Sequence, residues 1–153
     1  MNTDKEPEFQ IRPAVLKDAA EIAELSAELG YPTPQKETRE RLQRIQGHSE
    51  HAVFVMENRD GLIVGWVHAY LRWLLISGLT VDIGGIVIRE THRRRGLGKK
   101  LLQHIETWAC SQGCNKVILY SGMQRTTAHL FYPEIGYTRV KSSWKYEKEL
   151  TCV

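Results

Sequence analysis

Between Arg89 and Lys100 the chain sets six lysine and arginine residues against a single acid, Glu90, and within that stretch runs Arg93-Arg94-Arg95-Gly96-Leu97-Gly98-Lys99-Lys100. The run follows a strand-forming segment, Val81 to Ile88, and opens an amphipathic one near Leu97. A strand that passes through a basic, glycine-containing turn into a helix makes an anion cradle. Glycine lets the backbone come close to a ligand, and the first N–H groups of a helix have no partner within it. The aligned peptide dipoles add roughly half a positive charge at that end, which favours phosphate. The chemistry expected here is the binding of a small polyanion; the competing reading is an ordinary helix start with solvated arginines.

Two phosphate motifs are excluded by the letters themselves. A Walker A loop needs glycine at 93 and serine or threonine at 100, where the chain has Arg93 and Lys100. A dinucleotide fingerprint begun at Gly96-Leu97-Gly98 needs glycine or alanine at 101, which is Leu101. What remains is R-x-x-G-x-G, from Arg93 to Gly98.

The strand before the cradle holds Gly84-Gly85, a poor choice for regular pairing that predicts a bulge or a close approach by another group. Alternation along the preceding strand would put Trp66, His68, Tyr70 and Arg72 on one face. That aromatic and basic set suits a small amine that also bears an anionic group, or a sheet face covered by helices.

Around these residues the pattern reads β α α β β β α β α β β, an α/β domain with a mixed sheet. Phe9 to Arg12 is the first strand. Asp18 and Glu21 have capping-box spacing for a helix that carries Ile22, Leu25 and Leu29 and ends at Gly30. A second helix starts at Thr33-Pro34, with the proline in its first turn. Ala52–Met56 and Leu62–Trp73 form a hairpin across an Asp60-Gly61 turn, and Val81–Ile88 is the fourth strand. Leu101, Leu102, Ile105, Trp108 and Ala109 recur at helical spacing up to Gly113. Lys116–Tyr120 is a fifth strand, Arg125–Tyr132 a short helix broken before Pro133, and Tyr137–Val140 with Ser143–Lys148 a final pair of strands.

A chain of 153 residues with 42% hydrophobic content suits one compact domain. We expect a polar lead over residues 1–8, a single domain over 9–149 and a tail over 150–153. A net charge of +3, concentrated near the cradle, does not argue for nucleic acid or a membrane surface as partner. Three cysteines, Cys110, Cys114 and Cys152, lack paired metal-ligand spacing, so neither a metal site nor a disulfide framework is expected. With no apolar run of membrane-spanning length and no signal-peptide core, a cytoplasmic protein is expected.

Two motif blocks carry a family resemblance. The first is Ile86-Val87-Ile88 followed by Arg93 to Gly98. The second runs from Arg125 to Tyr137 as Arg125-Thr126-Thr127-Ala128-His129-Leu130-Phe131-Tyr132-Pro133-Glu134-Ile135-Gly136-Tyr137. Together they resemble the acyl-CoA signature and the R-x-x-A-H-x-F-Y-x-x-x-G-Y/F block of the GNAT N-acetyltransferase superfamily, nearest in style to the small-amine and aminoalkylphosphonate branch.

The resemblance implies a mostly antiparallel sheet splayed between the fourth and fifth strands and flanked by helices. It implies acetyl-CoA as cosubstrate, held by the backbone of Ile86, Val87 and Ile88 and by Arg93, Arg94, Arg95, Gly96, Leu97, Gly98 and Lys99. The backbone N–H near Ile86 or Val87 would serve the oxyanion, Tyr132 would be the acid for the departing thiolate, and Asp82 would be the base, acting through water. His68 and Tyr120 are alternatives to Asp82. Gly122 stands where relatives often have asparagine. The acceptor implied is a primary amine of a small molecule, with aminoglycosides, polyamines and protein N-termini or lysines open, and a homodimer is possible as in many relatives. A non-catalytic acyl-CoA-binding module would share the cradle.

Overall fold

The structure is a computed structural model that describes residues 6–121 and 126–152. Its residues group into two units, Met1–Tyr120 and Ser121–Val153.

The first unit is built on a five-stranded sheet of sequential order, β1 (Phe9–Pro13), β2 (His51–Asn58), β3 (Ile63–Leu74), β4 (Gly78–Ile88) and β5 (Val117–Ile118). β1 to β4 pair antiparallel and β5 runs parallel to β4. The β2–β3 turn forms as its letters predict. Gly61 N–H donates to the Asn58 carbonyl at 3.0 Å, while Asn58 Oδ1 accepts from the N–H groups of Asp60 and Leu62.

Period-two alternation sorts the strands onto two faces. On one face Val55, Ile63 and Val87 are buried with Ile22 and Leu25 of α1 (Ala19–Glu28) and Leu42 of α2 (Gln35–Gln46). On the other lies α3 (Leu97–Ser111), whose Leu97, Leu101, Leu102, Ile105 and Ala109 are buried at helical spacing. His104 of α3 meets the Phe54 ring edge-on with centroids 4.4 Å apart. Gly65 is needed on that face: a Cβ there would meet Ile88 Cδ1 at 2.7 Å, the Val87 carbonyl at 2.9 Å and Leu101 Cδ1 at 3.3 Å.

Asp18 and Glu21 do not form the expected capping box. Asp18 instead closes the 3-10 turn before α1, its carboxylate accepting from Val15 N–H at 2.8 Å and from both terminal nitrogens of Arg12 at 2.8 and 2.9 Å. Glu21 reaches the sheet, where Oε2 accepts from Ile63 N–H at 2.8 Å. A cap satisfies one orphan donor, whereas these carboxylates satisfy a guanidinium and a strand N–H brought near only by folding. Pro34 precedes α2 as its N-cap, one position before the expected first turn.

The fifth strand is shorter than expected, pairing only through Val117 and Ile118. In the second unit α4 (Thr126–Glu134) continues through Pro133, against the expected break. The helix closes one turn later: Tyr137 N–H donates to the Tyr132 carbonyl at 3.0 Å and Gly136 N–H to that of Pro133 at 3.2 Å, a Schellman ending. The two expected final strands are not formed. Residues 137–152 carry no regular structure, and Val140, Trp144, Tyr146 and Leu150 are exposed. Among the described residues no helix is long and apolar enough to cross a membrane.

Candidate active site

The β3–β4 register slips between His68 and Ala69, with Gly85 opposite His68 and Ile83 opposite Ala69, so Gly84 is the extra residue of a bulge. The twin glycines make room for rings of the chain itself. A Cβ on Gly84 would lie 2.5 Å from His68 Nδ1, and one on Gly85 would lie 2.7 Å from Trp66 Cη2.

β5 pairs with Val81 and Asp82 only, so from Ile83 to Ile88 the outer edge of β4 has no strand beside it among the described residues. Alternation decides which groups that edge offers. Arg89 N–H donates to the Val64 carbonyl at 2.7 Å, which turns Val87 toward β3 as well and leaves the backbone of Ile86 and Ile88 facing outward. Val87 gives its side chain to the core.

The open edge runs into the basic turn. Arg93 Nε donates to the Ile88 carbonyl at 3.0 Å, folding its side chain back over the strand end. Arg94 is left-handed at φ 64°, the one non-glycine residue with positive φ among those described, and Gly96 repeats that conformation at φ 73° as the N-cap of α3. A non-glycine residue there costs about 1–2 kcal/mol, a strain typical of functional turns. The result is a concave turn ahead of a helix whose Leu97, Gly98 and Lys99 N–H groups have no acceptor within it, Lys100 being the first to bond back, to Gly96, at 3.3 Å. Arg95 reaches Glu8 at 3.0 Å and lies over the Phe9 ring at 5.4 Å. Arg93 and Arg95 thus brace the turn, whereas Arg94, Lys99 and Lys100 form no ion pair among the described residues.

Arg89, counted above among the cradle's cations, does something else. Buried at 9% exposure, it donates from Nε and Nη2 to the Ile63 carbonyl at 3.1 and 2.8 Å and from Nη1 to Glu24 at 2.9 Å, tying the end of β4 to β3 and α1.

Trp66, His68, Tyr70 and Arg72 do share one face, each half-buried, between the buried Gly65, Val67 and Ala69. His51 of β2 joins them: its ring stacks on His68 (centroids 5.2 Å, planes 18° apart) and on Tyr70 (5.5 Å, 23°). Asp82, 1% exposed, is held by Thr80 Oγ1, which donates to Oδ1 at 2.9 Å, and by Arg72, whose Nε lies 2.7 Å from Oδ2. Arg72 Nη2 also donates to the Tyr120 hydroxyl at 3.1 Å. Asp82 is therefore the counter-ion of Arg72, and any proton-accepting role for it depends on opening that pair. Burial, and secondarily the nearby His51, push the His68 pKa down to about 4, so this imidazole is neutral at pH 7.

Comparison with known proteins assigns the chain to a family. The sequence profile of the acetyltransferase (GNAT) family matches residues 17–137. The chain belongs to that family. It is an N-acetyltransferase with acetyl-CoA as cosubstrate. Among curated relatives, aminoglycoside N(6')-acetyltransferase type 1 of Serratia marcescens is 22% identical over 116 residues, covering 73% of this chain and 80% of its own. Among solved structures, aminoglycoside N-acetyltransferase AAC(6')-Iy in complex with CoA superposes with a TM-score of 0.84 at 19% identity, over 96% of this chain and 99% of that one. Glucosamine-6-phosphate N-acetyltransferase from Arabidopsis thaliana does so at 0.81 and 22% identity, over 94% and 100%.

In this acetyltransferase the predicted set Ile86, Val87, Ile88 and Arg93 to Lys99 lies on one continuous path, the end of β4 and the start of α3. Asp82 lies on the same strand, on the far side of the bulge. Tyr132 belongs to the second unit, in α4, with its ring 5.4 Å from that of Phe131 and 6.2 Å from that of Tyr137. Gly122 and Arg125 lie outside the described residues. Sequence reading missed His51. Counting back from the Asp60-Gly61 turn would not have found it, because the β2–β3 register shifts by one between Met56 and Glu57, and that shift is what brings His51 opposite Tyr70.

Proposed function

We propose that this acetyltransferase moves the acetyl group of acetyl-CoA onto a primary amine of a small molecule, by direct attack within a ternary complex. The observation that carries the proposal is the outer edge of β4 from Ile83 to Ile88, which has no strand beside it among the described residues and leads, through a 3-10 turn at Glu90–His92, into the left-handed turn and the free N–H groups of α3. An amide-bearing pantetheine arm can pair with Ile86 and Ile88 as a strand would, and a pyrophosphate suits the N–H groups from Arg94 to Lys99.

The amine nitrogen attacks the thioester carbon, the carbonyl pair moves onto oxygen, and the carbon–sulfur bond breaks as the carbonyl re-forms. An outward N–H at Ile86 would stabilise the oxyanion. Tyr132, a phenol of reference pKa about 10, would give the thiolate its proton, a role that rests on its place in the second motif block. The half-buried rings on β2 and β3 suit the apolar face of a sugar, and the printed names of the relatives, acetyltransferases of aminoglycosides and of glucosamine 6-phosphate, support amino sugars as the first class to assay.

The test is release of CoA thiol from acetyl-CoA across a panel of amino sugars, polyamines and peptides. Amine-dependent release with at least one amino sugar is the expected result, with Tyr132→Phe lowering turnover while acetyl-CoA binding stays nearly intact. No release with any amine, or release with peptides alone, would overturn the reading.

A further inference from the structure

His51 and His68 are coupled through their ring nitrogens. His51 Nδ1 and His68 Nε2 lie 2.9 Å apart, on adjacent antiparallel strands, with the rings stacked. Two imidazoles can share such a contact only if one nitrogen donates and the other accepts, so the pair always keeps one lone pair engaged and can pass a proton across the contact. The other nitrogen of His68, Nδ1, faces Gly84, the exposed bulge residue at which β4 parts from β5. The imidazole therefore stands at the point where the open strand edge begins.

The surrounding groups leave this pair as the available acceptor. His48 approaches His51 from the β2 side with ring centroids 6.2 Å apart, and Tyr70 tilts against His68 at 5.8 Å on β3. On β4 the only carboxylate facing them is Asp82, which Arg72 neutralises at 2.7 Å.

We propose that His68, positioned by His51, is the proton acceptor of the transfer. This rests on the acetyltransferase reading above. As the carbon–nitrogen bond forms, the bound nitrogen becomes acidic and releases a proton to His68 Nδ1, directly or through one water. Nε2–H meanwhile donates to His51 Nδ1, which fixes the tautomer that leaves the His68 Nδ1 lone pair free. The oxyanion then re-forms the carbonyl, the sulfur leaves with the bonding pair and takes the proton proposed above to come from Tyr132, His68 returns its own proton through water to the phenolate, and the sum is amine plus thioester giving amide plus thiol. Burial keeps the ring neutral with its Nδ1 lone pair free, and because its pKa is held down to about 4 it takes the proton only transiently, once attack has made the nitrogen acidic, and passes it on to water. Gly84 has a defined part: any side chain there would displace the ring.

The test compares variants of the full chain with the amine found active above. His68→Gln should lower kcat about 100-fold, within the range for loss of a general base, with acetyl-CoA affinity within about two-fold by calorimetry and an unchanged circular dichroism spectrum. His51→Gln keeps an acceptor for His68 Nε2–H and should retain most of kcat, whereas His51→Phe keeps the stacked ring but no acceptor and should lose about ten-fold or more. Nitrogen-15 spectra of the imidazoles give a readout that needs no turnover: His68 should carry its hydrogen on Nε2 and a lone pair on Nδ1. A fall of less than three-fold for His68→Gln, equal losses for His51→Gln and His51→Phe, or a hydrogen on His68 Nδ1 would each overturn the assignment. Absence of thiol release from the unaltered protein with every amine would instead sink the acetyltransferase reading, and would be seen before any variant is compared.

Discussion

Arg72 Nε lies 2.7 Å from Asp82 Oδ2, and this pair closes the face of the sheet beside the bulge. Asp82 is fully buried while Arg72 keeps 28% of its side chain exposed, so the carboxylate is the member that cannot be left alone. Asp82→Ala strands the guanidinium and the Thr80 hydroxyl together and should cost about 2–4 kcal/mol in urea unfolding. Arg72→Met, which leaves the carboxylate buried without its cation, should cost more, about 3–5 kcal/mol. The double variant should be less unstable than the two single losses predict. Asp82→Asn should leave the basic-side rise of the pH–rate profile where it was; a shifted rise would restore Asp82 as the base.

Gly65 tests how tightly the cofactor strand is positioned. A Cβ there meets the Val87 carbonyl and Ile88 Cδ1 at under 3 Å, and the carbonyl cannot yield without moving the strand. Gly65→Ala should therefore destabilise by about 1–3 kcal/mol and weaken acetyl-CoA binding measurably by calorimetry. Gly61→Ala, in the remote hairpin turn with open space around it, should lower stability through its positive φ alone and leave binding unchanged.

The cradle is expected to bind through backbone more than side chains. Arg94→Gly relieves a left-handed arginine and keeps the turn, so acetyl-CoA affinity should fall by less than about three-fold, roughly 0.6 kcal/mol. Gly96→Val imposes a β-branched side chain at φ 73° on the N-cap of α3 and should weaken binding about ten-fold or more. The reverse order in calorimetry would make the arginine charge the dominant contact.

Acid sensitivity has separable contributions from Asp18 and His68, with a further one in the same direction as His68 from His104, whose pKa burial lowers. Burial alone would raise the Asp18 pKa, but hydrogen bonds from Arg12 and from Val15 N–H outweigh it and leave the value lowered. A depressed carboxylate stabilises the fold above its unfolded pKa, and that stability is lost as pH falls through the folded value, so Arg12→Met should matter at pH 7 and progressively less in strong acid. His68 acts at higher pH. Its pKa falls from 6.5 to about 4 on folding, so below pH 6.5 the unfolded chain takes up a proton that the native ring refuses, and stability declines as pH drops from 6.5 toward 4. At about 1.4 kcal/mol per pH unit this sets a ceiling of roughly 3 kcal/mol. Urea midpoints from pH 4 to 8 should show that decline, and His68→Gln should flatten it.

Much of the fold was legible because it rests on local rules. The Asp60-Gly61 turn announced a hairpin, though its register shifts by one at Met56/Glu57, the spacing from Leu97 to Ala109 fixed a helix and its buried stripe, and the glycine pair announced a bulge. The cradle could be read because its parts are contiguous: strand, turn and helix start follow one another in the letters. Even the shared face of Trp66, His68, Tyr70 and Arg72 needed only period-two alternation.

Other features depend on residues far apart in the chain. Asp18 and Glu21 had the spacing of a cap, yet Arg12 and Ile63 N–H offered them better partners across the fold. Arg89 looked like one more cradle cation until the Ile63 carbonyl and Glu24 claimed it. The alternation after Tyr137 described strands that the structure does not form, because a strand is made by its pairing partner and not by alternation alone. The same holds at the site: the sequence determined which groups could bind a polyanion, while only the assembled sheet decided that Asp82 would be neutralised by Arg72 and that His51 would meet His68. Hydrogen bonding and charge pairing are short-ranged in space and indifferent to separation along the chain, so the partner of a polar side chain is settled when the strands come together.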